Sequence, residues 1–65
     1  MNITLNGEAA ATEAATVAEL VGEVGAPEAG TAVAVDGEVV PRSEWDERFV
    51  ADGEAVDILT AVQGG

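Results

Sequence analysis

The sequence contains no cysteine, no histidine, no lysine and no tyrosine, and its only aromatic residues are Trp45 and Phe49. Without cysteine, neither a disulfide framework nor a thiolate zinc site can support the fold. Without histidine, the chain lacks the usual metal ligand and the usual general base. The remaining acid–base groups are carboxylates, and 65 residues leave little room for a substrate cleft between two of them. A stand-alone enzyme is therefore not expected.

Long apolar runs and positive charge are scarce as well. The apolar runs fall far short of the roughly 18 residues of a membrane span, and no basic start followed by an apolar stretch indicates a signal peptide. Thirteen acidic residues face two arginines, for a net charge of -11. Neither nucleic acid nor anionic membrane is an expected partner, since both bind basic surfaces, and the cytoplasm is the expected location. The acidity fits a solvated or salt-adapted surface, or steering toward a basic partner.

A regular series of turn signals divides the chain into short elements. Asn6-Gly7, Asp36-Gly37 and Asp52-Gly53 are two-residue turns whose residues tolerate positive φ. Apolar alternation and turn position together predict five strands, over residues 1–5, 8–11, 31–35, 38–40 and 56–62. No internal repeat or linker interrupts them, so a single domain over residues 1–65 is expected.

One helix is predicted between the second and third strands. Thr16 is a good N-cap, and Glu19 completes a capping box. Gly25 suits a left-handed helix end, and Pro27 prevents continuation. One apolar stripe on the helix is formed by Val17, Leu20, Val21 and Val24. Because a helix of about two and a half turns is unstable alone, it must pack on the sheet.

The order of elements predicts an α+β fold of the β-grasp type, in which a mixed sheet of four to five strands packs on one helix. The first and last strands would pair at the centre, which keeps the connections short and unthreaded. A short helical turn over residues 44–47, capped by Ser43, carries Trp45. We interpret Trp45 as a lid over the end of the core, with a partner contact as the alternative.

The last strand has one face that must avoid burial, because an unpaired buried carboxylate such as Asp57 is costly. Val56 and Ile58 are therefore predicted to face the helix, and Leu59 to face outward. Exposed apolar residues near one another form a candidate docking site. The members of this predicted docking patch are Ala34, Leu59 and Ala61.

The sequence closes on Gln63, Gly64 and Gly65, directly after the last predicted strand. Two glycines offer an unhindered carboxylate on a backbone with few steric limits, although glycine is also common at chain ends. A flexible tail over about residues 61–65 could thread a narrow channel in another protein and place its carboxylate on a reactive phosphate. The tail is therefore the candidate functional segment.

No metal or cofactor site is predicted within the chain itself. Glu44, Asp46 and Glu47 carry the oxygen ligands that divalent cations accept, but their spacing fits no known loop and favours an exposed charged turn. Glycines that could suggest a phosphate-binding loop lie about the helix end, where capping explains them.

Two segments carry a resemblance to a known family. Residues 39–45, Val-Val-Pro-Arg-Ser-Glu-Trp, are similar to a V-P-R-x-x-W signature, and residues 56–65, Val-Asp-Ile-Leu-Thr-Ala-Val-Gln-Gly-Gly, to the same family's ending. On these residues the chain resembles the ThiS family, the sulfur carriers of thiamine thiazole synthesis, over essentially its whole length. The ending is similar to that of actinobacterial members. The high acidity and the alanine-rich residues 9–15 depart from the family pattern.

The resemblance implies a mechanism and a set of partners. A ThiF-type or MoeB-like enzyme would use Mg-ATP to adenylate the carboxylate of Gly65, with Gly64 and Gln63 extended in its channel. Sulfur from a cysteine persulfide, supplied by a cysteine desulfurase or similar donor, would displace AMP and leave a thiocarboxylate. Thiazole synthase, ThiG, would then accept that sulfur. The chain itself would bind no cofactor, since ATP and Mg are used by the activating partner.

Three alternatives stay open at the level of sequence. A MoaD-like small subunit of molybdopterin synthase would share the fold and tail, but it usually carries a Phe-Phe-Pro-Pro stretch that is absent here. A ubiquitin-like modifier would be attached to protein lysines through Gly64-Gly65. A β-grasp interaction module that carries nothing would tolerate deletion of the same two glycines.

Overall fold

One mixed sheet and one helix make up the part of the chain that the structure, a computed structural model, describes, residues 1–61. In chain order the elements are β1 (Asn2–Leu5), β2 (Glu8–Ala11), α1 (Val17–Val24), β3 (Thr31–Val35), β4 (Glu38–Val40), a 3₁₀ turn (Arg42–Glu44) and β5 (Ala55–Thr60). The strand order is β2-β1-β5-β3-β4. β1 and β5 are parallel at the centre, and the other neighbours are antiparallel. This is the predicted β-grasp.

The two hairpins turn where the sequence predicts. In the first, Asn6 has a φ of 51° and Gly7 a φ of 84°; in the second, Asp36 has 51° and Gly37 has 83°. Positive φ at both central residues defines a type I′ turn, whose twist matches that of the flanking strands. The turn chemistry therefore sets the register of β1 on β2 and of β3 on β4.

The start of α1 is held by the predicted capping residues. Thr16 Oγ1 accepts a hydrogen bond from the N–H of Glu19 at 3.2 Å. The carboxylate of Glu19 reaches back, but it accepts from the N–H of Ala15 at 2.8 Å, one residue before the cap. Two backbone donors at the helix start are thus satisfied, but the second is the N–H of Ala15 rather than that of the cap residue Thr16, so the predicted capping box is formed only in part.

The end of α1 differs from the prediction at one residue. Gly25 takes the left-handed conformation with a φ of 79°, as expected. The first three members of the apolar stripe are buried, namely Val17, Leu20 and Val21. Val24, however, is 43% exposed, so its predicted place against the sheet is wrong. It is the last helical residue, and no further turn of α1 follows to cover it.

The core lies between α1 and the inner face of the sheet. Apart from one tryptophan it is aliphatic, and its buried members are Ile3, Ala14, Val17, Leu20, Val21, Val33, Val35, Val40, Trp45, Val50, Val56 and Ile58. The buried residues of β3 and β5 alternate with more exposed ones, as expected for a sheet covered on one face.

The short turn after β4 starts earlier than predicted. The sequence predicted a helical turn over residues 44–47 capped by Ser43, whereas the structure has a 3₁₀ turn at Arg42–Glu44 with no side-chain cap. Pro41 precedes it with a φ of -60°, and the Pro41 carbonyl accepts from the N–H of Glu44 at 2.8 Å. Because proline fixes φ near this value, it starts the turn without a capping side chain.

Trp45 follows this turn and closes the end of the core, as predicted. Its side chain is only 4% exposed, and its indole N–H donates to the carbonyl of Val40 at 3.0 Å. Its own carbonyl accepts from the N–H of Ala18 in α1 at 3.1 Å. Trp45 therefore joins α1 to β4.

Replacing Trp45 with phenylalanine should destabilise the fold. The change removes the indole hydrogen bond and leaves a gap in the core, which together cost about 1–3 kcal/mol. In a domain of this size that corresponds to a fall in Tm of about 4–8 °C per kcal/mol. Thermal melts followed by circular dichroism measure it, with Phe49→Leu as the control because Phe49 is 67% exposed. Equal Tm values for the two variants would contradict the role of Trp45.

Candidate functional site

The candidate site is the sheet face turned away from α1, where β5 ends. Val56 and Ile58 point into the core and are 0% and 8% exposed, whereas Asp57 is exposed and Leu59 is 67% exposed. The predicted orientation of the last strand is therefore confirmed. The predicted bounds, residues 56 to 62, were not confirmed: β5 begins at Ala55 and ends at Thr60, so that Ala61 follows the strand. Residue 62 lies outside the described residues.

An apolar patch crosses three strands on this outer face. Leu59 of β5 lies opposite Ala32 of β3, and Ala34 of β3 lies opposite Val39 of β4. Leu59 and Val39 are the most exposed large apolar side chains of the sheet, at 67% and 70%. The outer-face patch, as the name is used below, consists of Ala32, Ala34, Val39 and Leu59.

Of the predicted docking patch, the structure brings Leu59 and Ala34 onto the same face. Ala61 is exposed and comes after the last residue of β5. Val39, the most exposed large apolar side chain within residues 1–61, was not among the predicted site residues. Its signal was in the sequence, because a two-residue turn at Asp36-Gly37 places Val39 opposite Ala34 on the outward face.

The charges around the site are unevenly placed. On the outer face, Asp57 is an exposed carboxylate opposite Ala34. The two arginines lie in the chain between the end of β4 and the start of β5, and each forms an ion pair with a glutamate. Arg42 meets Glu28 at 2.8 Å, and Arg48 meets Glu54 at 3.1 Å.

The root of the tail, defined as Thr60 and Ala61, is hydrogen-bonded on the β3 side. The N–H of Ala61 donates to the carbonyl of Gly30 at 2.7 Å. One residue earlier, the hydroxyls of Thr60 and Thr31 lie 3.1 Å apart, and Thr31 Oγ1 also donates to the carbonyl of Pro27. These bonds fix where the chain leaves the sheet.

The predicted tail residues Gln63, Gly64 and Gly65, together with Val62, lie outside the described residues. Their roles therefore stay predictions. The structure supplies the position of Ala61, the last residue described, which is bonded to Gly30 two residues after Leu59 of the outer-face patch.

Within residues 1–61, no group of three or more potential metal-ligating side chains comes together, and this includes Glu44, Asp46 and Glu47.

No helix within residues 1–61 has the length and apolar composition needed to cross a bilayer.

Fold and site together define a class of protein. The chain is a small ubiquitin-like β-grasp domain with an exposed apolar sheet face beside the point where its C-terminal segment leaves the sheet. Sequence comparison then identifies the branch of this class. The sequence model of the ThiS family matches residues 2–65, so the chain belongs to the ThiS family.

Individual relatives agree with this assignment. The sulfur carrier protein ThiS of Escherichia coli strain K12 is 33% identical over 66 residues, which cover 100% of both chains. The crystal structure of the thiamine biosynthesis protein ThiS from Geobacter metallireducens is 35% identical, covers 100% of both chains and superposes with a TM-score of 0.82. A solution structure of a thiamine biosynthesis protein from the same organism covers 100% of this chain and 88% of that one, with 35% identity and a TM-score of 0.83.

Proposed function

We propose that this chain is a sulfur carrier for the synthesis of the thiazole part of thiamine. A ThiF-type enzyme uses Mg-ATP to adenylate the carboxylate of Gly65 with release of pyrophosphate. The outer sulfur of a cysteine persulfide then displaces AMP to form an acyl disulfide, and a second thiol reduces this disulfide, itself ending in a disulfide with the donor cysteine, to leave a thiocarboxylate on Gly65. Thiazole synthase then takes the sulfur. The chain acts as carrier and co-substrate, and the partners supply the catalytic residues, in the cytoplasm where their ATP is available.

The observation that carries the proposal is the extent of the chain that the ThiS family and its relative match. The family match extends from residue 2 through Gly65, and the curated ThiS relative is covered from end to end. The match therefore includes both the domain and the two glycines on which the chemistry depends. A carboxylate is a poor acyl donor until its oxygen leaves as part of AMP, and glycine has no Cβ to collide with a narrow channel.

Mass spectrometry of the protein from its native cell tests the proposal. The expected result is a fraction of the chain whose mass has gained one sulfur in place of one oxygen, located at Gly65 by fragmentation. Rescue of a thiazole auxotroph by the gene is the matching genetic test. Isopeptide adducts on other proteins with no thiocarboxylate would instead indicate a ubiquitin-like modifier.

The outer-face patch is the proposed docking surface for the activating enzyme. It combines exposed apolar side chains on three strands with a neighbouring carboxylate, and β5 leads from it directly to the tail. Aromatic, aliphatic and basic groups on the partner would complement it.

Leu59→Glu should weaken binding to the activating enzyme while leaving the fold intact. The new carboxylate would be desolvated at the interface without a partner, a change that costs about 2–4 kcal/mol, or roughly 30- to 1000-fold in Kd. Phe49→Glu is the matched control, because Phe49 is equally exposed at 67% but lies outside β3, β4 and β5. Isothermal titration calorimetry or surface plasmon resonance measures the Kd of both variants. Equal Kd values for the two variants would remove the patch from the interface.

A further inference from the structure

The main-chain N–H and C=O groups on the two edges of β5 differ in how many of them have hydrogen-bond partners. Toward β3, the hydrogen bonds of the antiparallel ladder run its full length. They are bounded by the N–H of Asp36 donating to the carbonyl of Ala55 at 2.7 Å and the N–H of Ala61 donating to the carbonyl of Gly30 at 2.7 Å. Because backbone groups alternate along a strand, residues 55, 57, 59 and 61 direct their N–H and C=O groups toward β3.

Toward β1, pairing stops halfway along β5. The parallel register ends with Leu5 beside Val56, and the N–H of Asn6 then donates to the carbonyl of Val56 at 2.9 Å. The Asn6 side chain makes the last contact, as its Oδ1 accepts from the N–H of Ile58 at 2.8 Å. At Gly7 the chain turns back into β2, so no strand continues along β5.

Three main-chain groups are left facing this open side: the C=O of Ile58, the N–H of Thr60 and the C=O of Thr60. None of them has a hydrogen-bond partner among residues 1–61. They stand at the spacing of a strand, beside the exposed side chain of Leu59, and they are the last such groups before the tail.

We propose that this open edge receives an extended main-chain segment of the activating enzyme, which adds a strand beside β5 in line with β1. Unpaired strand edges are templates for another extended chain, and main-chain hydrogen bonds supply the affinity. An extended main chain presents donors and acceptors at this same spacing. The inference rests on the proposed function, and it specifies which main-chain groups the partner binds at the root of the tail.

The position of the edge argues for this partner. β5 continues directly into Ala61, so a segment of the enzyme that pairs with Ile58 and Thr60 is held next to the start of the tail. The sheet also has an open outer edge at β2, but β1 separates that edge from β5. An added strand at β2 would not touch the root of the tail.

A backbone ester at Thr60, made by semisynthesis of the full chain, tests the proposal directly. It replaces the open-side N–H with oxygen, keeps the side chain, and weakens the carbonyl of Leu59 in the ladder to β3. The matched control is an ester at Ala11 on the outer edge of β2. There the N–H also points away from the sheet, because the neighbouring N–H of Thr12 donates to Met1, and the weakened carbonyl of Ala10 faces β1.

The two esters should melt at similar temperatures but bind the ThiF-like enzyme differently. One lost hydrogen bond predicts a Kd about three- to tenfold weaker for the Thr60 ester and no change for the Ala11 ester. In the unmodified chain, amide exchange at Thr60 should slow at least about tenfold on complex formation.

Two results would overturn the inference. Equal Kd values for the two esters would do so, and so would unprotected exchange at Thr60 in a complex that forms normally. If the unmodified chain failed to bind the enzyme at all, the proposed function would be overturned, and this inference with it.

Discussion

One alanine added after Gly65 should abolish adenylation of the chain without unfolding it. A residue lengthens an extended chain by about 3.3–3.6 Å, and it moves the carboxylate past the phosphate that it must attack. Misplacement of a reacting group by about 1 Å can cost 100-fold in rate, so a loss of at least that size is expected. The domain is unaffected, because the root of the tail stays bonded at Gly30.

Acyl-adenylate formation with the ThiF-like enzyme and Mg-ATP, followed by mass spectrometry, measures this effect. The control carries one alanine ahead of Met1, which adds the same mass at the other end and should be adenylated at the rate of the unmodified chain. Normal acyl-adenylate on the protein extended after Gly65 would contradict the tail mechanism while leaving the fold assignment untouched.

Val21→Asp should unfold the protein at neutral pH. Val21 is 2% exposed on the face of α1 that packs on the sheet. An uncompensated buried charge costs about 3–5 kcal/mol, to which the loss of a buried valine adds about 1.5–3 kcal/mol. A domain of this length has a total stability of about 3–10 kcal/mol. The variant should therefore be largely unfolded by circular dichroism at 25 °C.

Val24→Asp is the control on the same helix. It places the same residue three positions further on, where the side chain is 43% exposed, and it should retain a cooperative melt. A native-like melt of Val21→Asp would show that the helix face is misassigned. Unfolding of both variants would show that helix propensity, rather than burial, controls the result.

Several features were readable from the sequence because their causes are local. The turn at Asn6-Gly7 needs residues that tolerate positive φ. The start of α1 needs the hydroxyl of Thr16, and its end needs a residue such as Gly25 that can adopt the left-handed conformation. The outward direction of Leu59 followed from the charge of Asp57 two residues earlier, because every second side chain of a strand lies on the same face.

Other features could not be read because they depend on what a residue meets in the folded chain. The periodicity of α1 assigns Val24 to the apolar stripe, but the helix ends there and leaves it exposed. A serine directly before a charged turn looks like a cap, yet Pro41 starts the turn and Ser43 caps nothing. The docking role of the outer-face patch is still a prediction, although its exposure is now established.

The chain's own chemistry specified its hairpins, its helix ends and the inward or outward direction of its strand residues, since each depends on neighbours within about four positions. Packing specified the rest. The side chain of Asn6 bonds Ile58 across 52 positions of sequence, and the edge of β5 is open because β1 ends there. Contacts between such distant residues depend on the assembled sheet, so no local pattern in the sequence reveals them.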